Sequence, residues 1–317
     1  MPKILALHEL TTEHKNMIQA AAPGFELITS KIGELAPGMV REAEILLGWS
    51  SKVEGEAVAP DSHTKWVQVW SAGVDKLPLD AFRQKGIWLT NASGVHSIPI
   101  TEHIFAMILG FVRNLHHAVR QQTNRHWDTA GTFTELAGKT IVIVGVGQIG
   151  RQTAQVAKAF GMRTIGVRNS GEPSPHIDVM YKVDELTKAL SEGDYIVNIL
   201  PLTPLTTHIF DRDKFAAMKD SAFFVNVGRG QSVVTDAMVE ALQAGKLAGA
   251  GLDVFEKEPL PQDHPLWSMD NVIITPHKAG DTDQYAERVI DIFLDNLKAY
   301  TQGRPLHRNV IDYDKSY

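Results

Sequence analysis

No cysteine occurs anywhere in the chain. Disulfides, thiolate metal ligands and cysteine nucleophiles are therefore excluded by inventory, and no metal site is expected. This fits a reducing cytoplasm, the location expected for the protein. Long apolar runs are missing as well. The greasiest stretch, Ile98 to Val112, carries Glu102 and His103 and is too short and too polar to span a bilayer. The opening Met1-Pro2-Lys3-Ile4-Leu5-Ala6-Leu7-His8-Glu9 meets charge at once, so it reads as a first β-strand and not as a signal peptide. No membrane segment is expected. Basic residues are in deficit too: 31 Lys and Arg against 37 Asp and Glu leave a formal net charge of -6. That balance favours solubility and argues against a broad nucleic-acid surface, which needs clustered cations, while leaving room for a local basic pocket. No internal repeat or low-complexity tract stands out.

What is present is an ordinary globular composition, 44% hydrophobic and 21% charged, over 317 residues. That length is about twice a typical domain, so two domains or one large α/β unit is expected. Short apolar runs alternate with helical stretches from the start: Ile4–Leu7, a helix at Glu13–Ala22, then Glu26–Thr29, Ala43–Leu47, Trp66–Trp70 and Ile87–Thr90. Strands separated by helices imply a parallel sheet covered on both faces. A long helix follows over Pro99–Gln122, its apolar residues Ile104, Phe105, Ile108, Phe111, Val112 and Leu115 close to an i, i+3, i+4 rhythm. It reads either as a core helix or as a linker helix that also packs against a second subunit. The alternation then restarts with strands Ile141–Val144, Thr164–Val167, Tyr195–Leu200, Ala222–Val227, Ala250–Val254 and Val272–Thr275. Between them lie helices such as Thr235–Ala244, with Thr235 as expected N-cap and Gly245 as stop. An amphipathic helix, Thr282–Tyr300, ends the pattern before Gly303 and Pro305.

The strongest local signal is Ile141-Val142-Ile143-Val144-Gly145-Val146-Gly147-Gln148-Ile149-Gly150, set between a β-branched strand and an Ala- and Gln-rich helix, Arg151–Phe160. A glycine triplet in that context reads as a dinucleotide-binding turn, with a merely structural tight turn as the alternative. Gly145 permits the tight turn, Gly147 admits a pyrophosphate to the backbone, and Gly150 lets helix and strand pack closely. The helix N-terminus offers free N–H groups and partial positive charge. The end of the next strand should read the adenosine ribose, where an acidic side chain selects NAD(H). Here Arg168-Asn169-Ser170 stands in its place. Arginine can pair bidentately with a phosphate and its neighbours add neutral donors, so NADP(H) is favoured over NAD(H).

Taken with further motifs, the chain resembles the D-2-hydroxyacid dehydrogenase family, which includes D-lactate, glyoxylate/hydroxypyruvate and 3-phosphoglycerate dehydrogenases. The resemblance covers nearly the whole chain. It is carried by Gly145–Gly150, by Leu200-Pro201-Leu202-Thr203 with Thr206, and by Val225-Asn226-Val227-Gly228-Arg229-Gly230. Leu252-Asp253-Val254-Phe255 with Glu258-Pro259, and Thr275-Pro276-His277, complete it. It implies two doubly wound parallel-sheet domains: a flavodoxin-like substrate domain over 1–97 plus 282–317, and a Rossmann cofactor domain over 98–281. It implies Arg229, Glu258 and His277 as the catalytic residues, Asp253 on the nicotinamide side, and Leu200, Pro201, Thr206, Val227 and Gly228 along the cofactor wall.

The chemistry of the residues agrees with those roles. Reducing a 2-oxo acid needs a hydride, a proton for the carbonyl oxygen, and a cation for the carboxylate. A free imidazole titrates at about 6.5 and is mostly neutral at pH 7, so a carboxylate beside a proton-donating His277 is useful, and Glu258 fits. Arg229 supplies a permanently charged fork. In the first domain, Ser71-Ala72-Gly73-Val74-Asp75 resembles the loop whose backbone receives the substrate carboxylate, which places Ala72, Gly73 and Val74 among the substrate contacts.

Two departures narrow the substrate. Phosphoglycerate dehydrogenases usually carry arginine in the loop corresponding to Gly48-Trp49-Ser50-Ser51-Lys52, whereas only Lys52 is cationic here. Trp49 would suit a wall around a small or apolar side chain, or simply pack. Lys278 follows the histidine where many members have an apolar residue, either as a solvated cation or as positive potential for an anionic ligand. Among rivals, formate dehydrogenases resemble this fold but pair the histidine with glutamine, which Glu258 disfavours. Phosphoglycerate dehydrogenase proper and a nicotinamide-sensing binding protein are the remaining alternatives. The expected partner is a small 2-oxo or 2-hydroxy acid, with a homodimer forming through the 99–122 helix region.

Overall fold

The computed structural model describes residues 1–74 and 76–313. Two compact units divide the chain, Met1–Val95 with Asp283–Tyr317, and His96–Thr282.

In the first unit five short strands form a wholly parallel sheet: β1 (Lys3–Ala6), β2 (Glu26–Thr29), β3 (Ile45–Leu47), β4 (Trp66–Gln68) and β5 (Trp88–Thr90). Their order is β2-β1-β3-β4-β5, the flavodoxin-like winding in which ligands meet the carboxyl edge of the strands. Alternate residues of one strand feed opposite layers, as the pleat requires. Leu5 and Leu46 pack with Phe82 and Ile87 on one face, and Ile4, Ile45 and Leu47 with Phe293 and Leu297 on the other. The helix Tyr285–Thr301 thus belongs to this unit's core, where Phe293 stacks on Trp66 at 4.9 Å.

The second unit holds seven parallel strands: β6 (Thr140–Val144), β7 (Arg163–Val167), β8 (Val179–Tyr181), β9 (Tyr195–Asn198), β10 (Phe223–Asn226), β11 (Gly249–Leu252) and β12 (Val272–Ile274). Their order is β12-β11-β10-β9-β6-β7-β8. Winding reverses between β6 and β9, and that switch point opens a crevice at the strand ends. Val142 and Val144 enter one layer, Ile141 and Ile143 the other. Each such fully buried side chain contributes about 1.5–3 kcal/mol.

The expected long helix over 99–122 is two helices, Ser97–Val112 and Leu115–Thr123, broken at Arg113–Asn114 where Asn114 takes φ 53°. The breadth of its apolar face has a local cause. Ile104, Phe105, Met107, Ile108 and Val112 are buried in the unit's own core, and the strand β11, Gly-Ala-Gly-Leu, leaves room for them. A Cβ on Gly251 would stand 2.8 Å from Met107, and one on Gly249 2.6 Å from Phe111. No single helix among the described residues is long and apolar enough to cross a membrane, and these two are bent by 72°.

Six of the eleven expected strands stop one or two residues earlier than the apolar pattern predicts, so that Trp70, Leu200, Val227 and Val254 lie beyond the ladder. The strand Val179–Tyr181 and the helix Leu79–Lys85 were not foreseen. Thr235 is the first helical residue and not the N-cap. Its N–H is met instead by Glu256 Oε2 at 2.8 Å, a carboxylate from the neighbouring loop doing what the expected hydroxyl does not.

Candidate active site

Three adjacent strands, β10, β11 and β12, each deliver one of the candidate catalytic residues from the loop beyond its carboxyl end. Glu258 Oε2 lies 2.8 Å from His277 Nδ1, and Glu258 Oε1 accepts the Phe255 N–H at 3.0 Å. The carboxylate is thereby fixed from two sides. A carboxylate on Nδ1 holds that nitrogen as the protonated one, leaving Nε2 to exchange a proton. Arg229 lines the same recess of about 480 Å³, together with Gly230, Gln231, Phe255, Glu256 and Glu258. A second recess of about 490 Å³ shares the Glu258–His277 couple, but its other walls are apolar, including Leu260, Trp267 and Ile274.

His277 occupies the left-handed region, φ 56°, which costs an L-residue about 1–2 kcal/mol. Asp253, 1% exposed, holds it there. Its carbonyl accepts the His277 N–H at 2.9 Å. Its Oδ1 accepts the Thr275 hydroxyl at 2.6 Å and the Lys278 N–H at 2.9 Å, and its Oδ2 accepts the Ala279 N–H at 2.9 Å. His103 Nε2 completes the cluster, 2.9 Å from Thr275 Oγ1. The carboxylate assigned to the nicotinamide side is thus also the anchor of the histidine loop.

Arg229 is set by a second buried network. Asn198 Nδ2 donates to Asn226 Oδ1 at 3.0 Å and to Ser232 Oγ at 2.7 Å. Ser232 Oγ in turn donates to the Arg229 carbonyl at 2.6 Å. The same side chains accept the Leu200 N–H and the Gly228 N–H, each at 3.2 Å. One guanidinium nitrogen of Arg229 reaches the Gly228 carbonyl at 2.7 Å. Close packing adds a steric constraint: a Cβ on Gly230 would sit 1.9 Å from the Phe255 carbonyl, so the loops after β10 and β11 touch only because this residue is glycine.

Glu256 forms a third tie. It meets His208 Nε2 at 2.8 Å as well as the Thr235 N–H. Burial pushes its carboxyl up, but hydrogen bonds from Thr235 and His208 outweigh that and hold it below the usual range.

The residues after β6 and β9 fit a dinucleotide. Gly145 has φ 107°, and a Cβ there would lie 3.1 Å from the Ile199 carbonyl. A Cβ on Gly150 would strike the Gly145 carbonyl oxygen at 2.4 Å, so the helix Gln148–Ala159 seats directly on the turn. Space above Gly147 is open, and no side chain caps the helix that begins with Gln148 and Ile149. Free first-turn N–H groups beside open space suit phosphate oxygens. Across the switch point, Thr206 Oγ1 donates to the Pro201 carbonyl at 2.7 Å and accepts the Thr203 N–H at 2.8 Å, shaping the loop that begins with buried Leu200. Val227 is buried alongside, and a Cβ on Gly228 would meet the Leu200 carbonyl oxygen at 2.7 Å. At the end of β7, Arg168 Nη2 lies 3.3 Å from both Glu172 Oε2 and the Pro173 carbonyl, with Asn169 and Ser170 exposed. The buried Arg168 Nε has no hydrogen-bond partner, an orphaned donor in keeping with a missing anionic ligand.

In the first unit, Ala72 and Gly73 are exposed and Val74 is buried, with the Ala72 carbonyl held by Asn91 Nδ2 at 2.6 Å. Asp75 lies outside the described residues. Trp49 meets Phe82 edge-on at 4.9 Å and packs with that core. Lys278 pairs with Asp281 at 2.7 Å, both well exposed.

The family model described as "D-isomer specific 2-hydroxyacid dehydrogenase, NAD binding domain" matches residues 105–279. The chain belongs to that family. This dehydrogenase is an NAD(P)-dependent oxidoreductase of the 2-hydroxyacid group. It is 33% identical over 318 residues to D-3-phosphoglycerate dehydrogenase of Methanocaldococcus jannaschii, covering 98% of this chain but 60% of that protein's length. A D-isomer specific 2-hydroxyacid dehydrogenase family protein from Aeromonas salmonicida superposes with a TM-score of 0.79 at 34% identity, covering 99% of both chains. An NADPH-dependent glyoxylate/hydroxypyruvate reductase from Sinorhizobium meliloti, in complex with NADP and sulfate, matches with a TM-score of 0.74 at 27% identity over 100% of both chains.

Asn198, Ser232, His103 and Glu256 carry no site role in the sequence reading, and Asn226 and Thr275 enter it only as motif residues of the resemblance. Asn198 and Asn226 close apolar strands, a polarity that a buried network shares with an ordinary loop start.

Proposed function

We propose that this dehydrogenase reduces a small, unphosphorylated 2-oxo acid with NADPH in preference to NADH. Arg229 holds the carboxylate and polarises the carbonyl, His277 gives the carbonyl oxygen its proton from Nε2, and Glu258 orients the imidazole. A reduced nicotinamide bound at the switch point supplies the hydride. The observation that carries this reading is the Glu258–His277 pair at 2.8 Å in the recess that Arg229 lines.

Asp253, Leu200, Pro201, Thr206, Val227 and Gly228 are proposed to face the cofactor, with phosphates over Gly145–Gly150. Arg168, with Asn169 and Ser170, is proposed to read the 2′-phosphate. Ala72, Gly73 and Val74 are the proposed further substrate contacts. In the Gly48–Lys52 loop the one cation is Lys52, which favours an unphosphorylated substrate. The Sinorhizobium meliloti relative, in complex with NADP, supports the cofactor choice. A reducing cytoplasm suits the cysteine-free composition.

A homodimer is proposed through the second helix of the 99–122 region and the loop after it, where Leu115, Val119, Trp127 and Phe133 are exposed, Trp127 by 92%. Sedimentation equilibrium checks that part.

The deciding experiment is a panel of glyoxylate, hydroxypyruvate, pyruvate, branched and aromatic 2-oxo acids and 3-phosphohydroxypyruvate, each with NADPH and NADH. Turnover of unphosphorylated acids, faster with NADPH, is expected. A preference for 3-phosphohydroxypyruvate would overturn the substrate reading. Cofactor binding without turnover of any acid would point to a sensor, and formate oxidation alone to a formate dehydrogenase.

A further inference from the structure

The connection between β7 and β8 holds a charge that the cofactor reading leaves unused. Glu172 is four residues beyond Arg168, its side chain 76% exposed, and its carboxylate occupies the Arg168 guanidinium at 3.3 Å. The loop is shaped to bring it there. Gly171 turns with φ 65°, the Glu172 N–H is received by Ser170 Oγ at 3.3 Å, and the following Pro173 lends its carbonyl to the same Arg168 nitrogen. Yet the arrangement is incomplete. Arg168 Nε and Ser174 Oγ, at either end of this loop, are both buried without a hydrogen-bond partner. Buried polar groups are normally satisfied, so the pairing with Glu172 leaves the guanidinium with a donor still to be met.

We propose that Glu172 is a specificity-determining counter-charge that weakens discrimination between NADP(H) and NAD(H). The inference rests on Arg168 facing the adenosine ribose, as proposed above. Glu172 must give up Arg168 before a 2′-phosphate can be held there, whereas a ribose 2′-hydroxyl leaves the ion pair intact. The site therefore keeps a neutral pair for NAD(H) and a releasable cation for NADP(H).

Calorimetric binding of 2′,5′-ADP and 5′-AMP to the full chain tests this without turnover. An ion pair this exposed is worth little, so Glu172→Gln should tighten 2′,5′-ADP by about 2- to 5-fold and leave 5′-AMP within about twofold. Arg168→Gln should weaken 2′,5′-ADP by at least about 10-fold. If Arg168→Gln weakens 2′,5′-ADP while Glu172→Gln leaves it unchanged, Glu172 is no counter-charge and the Arg168 reading stands. If Glu172→Gln weakens 5′-AMP instead, Glu172 binds the ribose hydroxyl and the proposal is wrong. If Arg168→Gln binds 2′,5′-ADP like the native chain, or none of the proteins binds it, the Arg168 reading fails and the proposal with it.

Discussion

Asp253→Asn exchanges one oxygen of a buried carboxylate for a nitrogen and changes almost no volume. In the native arrangement Oδ1 receives the Thr275 hydroxyl and the Lys278 N–H, and Oδ2 receives the Ala279 N–H. An asparagine cannot accept on both sides. With its nitrogen at the Oδ2 position it opposes the Ala279 N–H; turned over, it opposes the Lys278 N–H. Thr275 can rotate its hydroxyl, but one backbone donor is orphaned in either orientation. A buried unsatisfied donor costs about 1–3 kcal/mol, and the surviving bonds lose the extra strength an ionised acceptor gives them. The sum is about 2–4 kcal/mol. At about 2–4 °C per kcal/mol for a domain of this size, Tm should fall by roughly 4–16 °C. The same bonds hold His277 at positive φ, so kcat should fall at least about tenfold and amide exchange at Lys278 and Ala279 should accelerate. Thermal unfolding, steady-state kinetics and hydrogen exchange read the three effects together. A Tm within about 1 °C of native with unchanged exchange at both amides would refute the account of Asp253 as the loop's anchor.

His277→Ala should lower 2-oxo acid reduction by about 10²-fold or more while calorimetric cofactor affinity stays near native. Near-native turnover would remove His277 from the mechanism. Gly230→Ala places a methyl 1.9 Å from the Phe255 carbonyl, so the loops after β10 and β11 must part; loss of activity with a lowered Tm is expected, and a native Tm would show that the contact yields cheaply. Glu256→Gln tests the tie to Thr235 and His208. Because the folded carboxyl sits below its usual range, its contribution is present above the unfolded value, about 4.3, and is lost as pH falls through the folded one. The Tm gap between native and Glu256→Gln should therefore be full at pH 7 and shrink below about pH 4. A gap that does not change with pH would show that the carboxylate's charge is not what matters.

The architecture was legible because parallel sheets covered on both faces leave near-continuous apolar runs, and β6, Thr-Ile-Val-Ile-Val, is such a run. Glycine spacing marked the turn after β6 for the same kind of reason, since Gly145 and Gly150 stand where a Cβ does not fit. Arg229, Glu258 and His277 were legible as motifs, but their meeting depends on three strands adjacent in space and 29, 19 and 48 residues apart in pairs, as the numbering shows. The break at Asn114 was hidden because Arg113-Asn114 carries no glycine or proline to mark it. Glu172 carries no signal in sequence because the ribose-reading position is expected at the strand end itself, and this carboxylate returns from four residues on. Thr235 was misassigned because a hydroxyl before a helix is the usual local cap, whereas here a distant carboxylate took that place.

The Asn198–Asn226–Ser232 network has a consequence for how this enzyme can be altered. It welds the proposed cofactor wall at Leu200 and Gly228 to the backbone of Arg229, so substitutions at any of the three should propagate to the other two and combine non-additively. The Arg168–Glu172 loop is outside that weld, on the far side of β6 in the sheet. If that loop reads the cofactor as proposed, directed evolution of cofactor preference has a separable module to work on, while mutations in the asparagine network disturb the backbone of Arg229 itself.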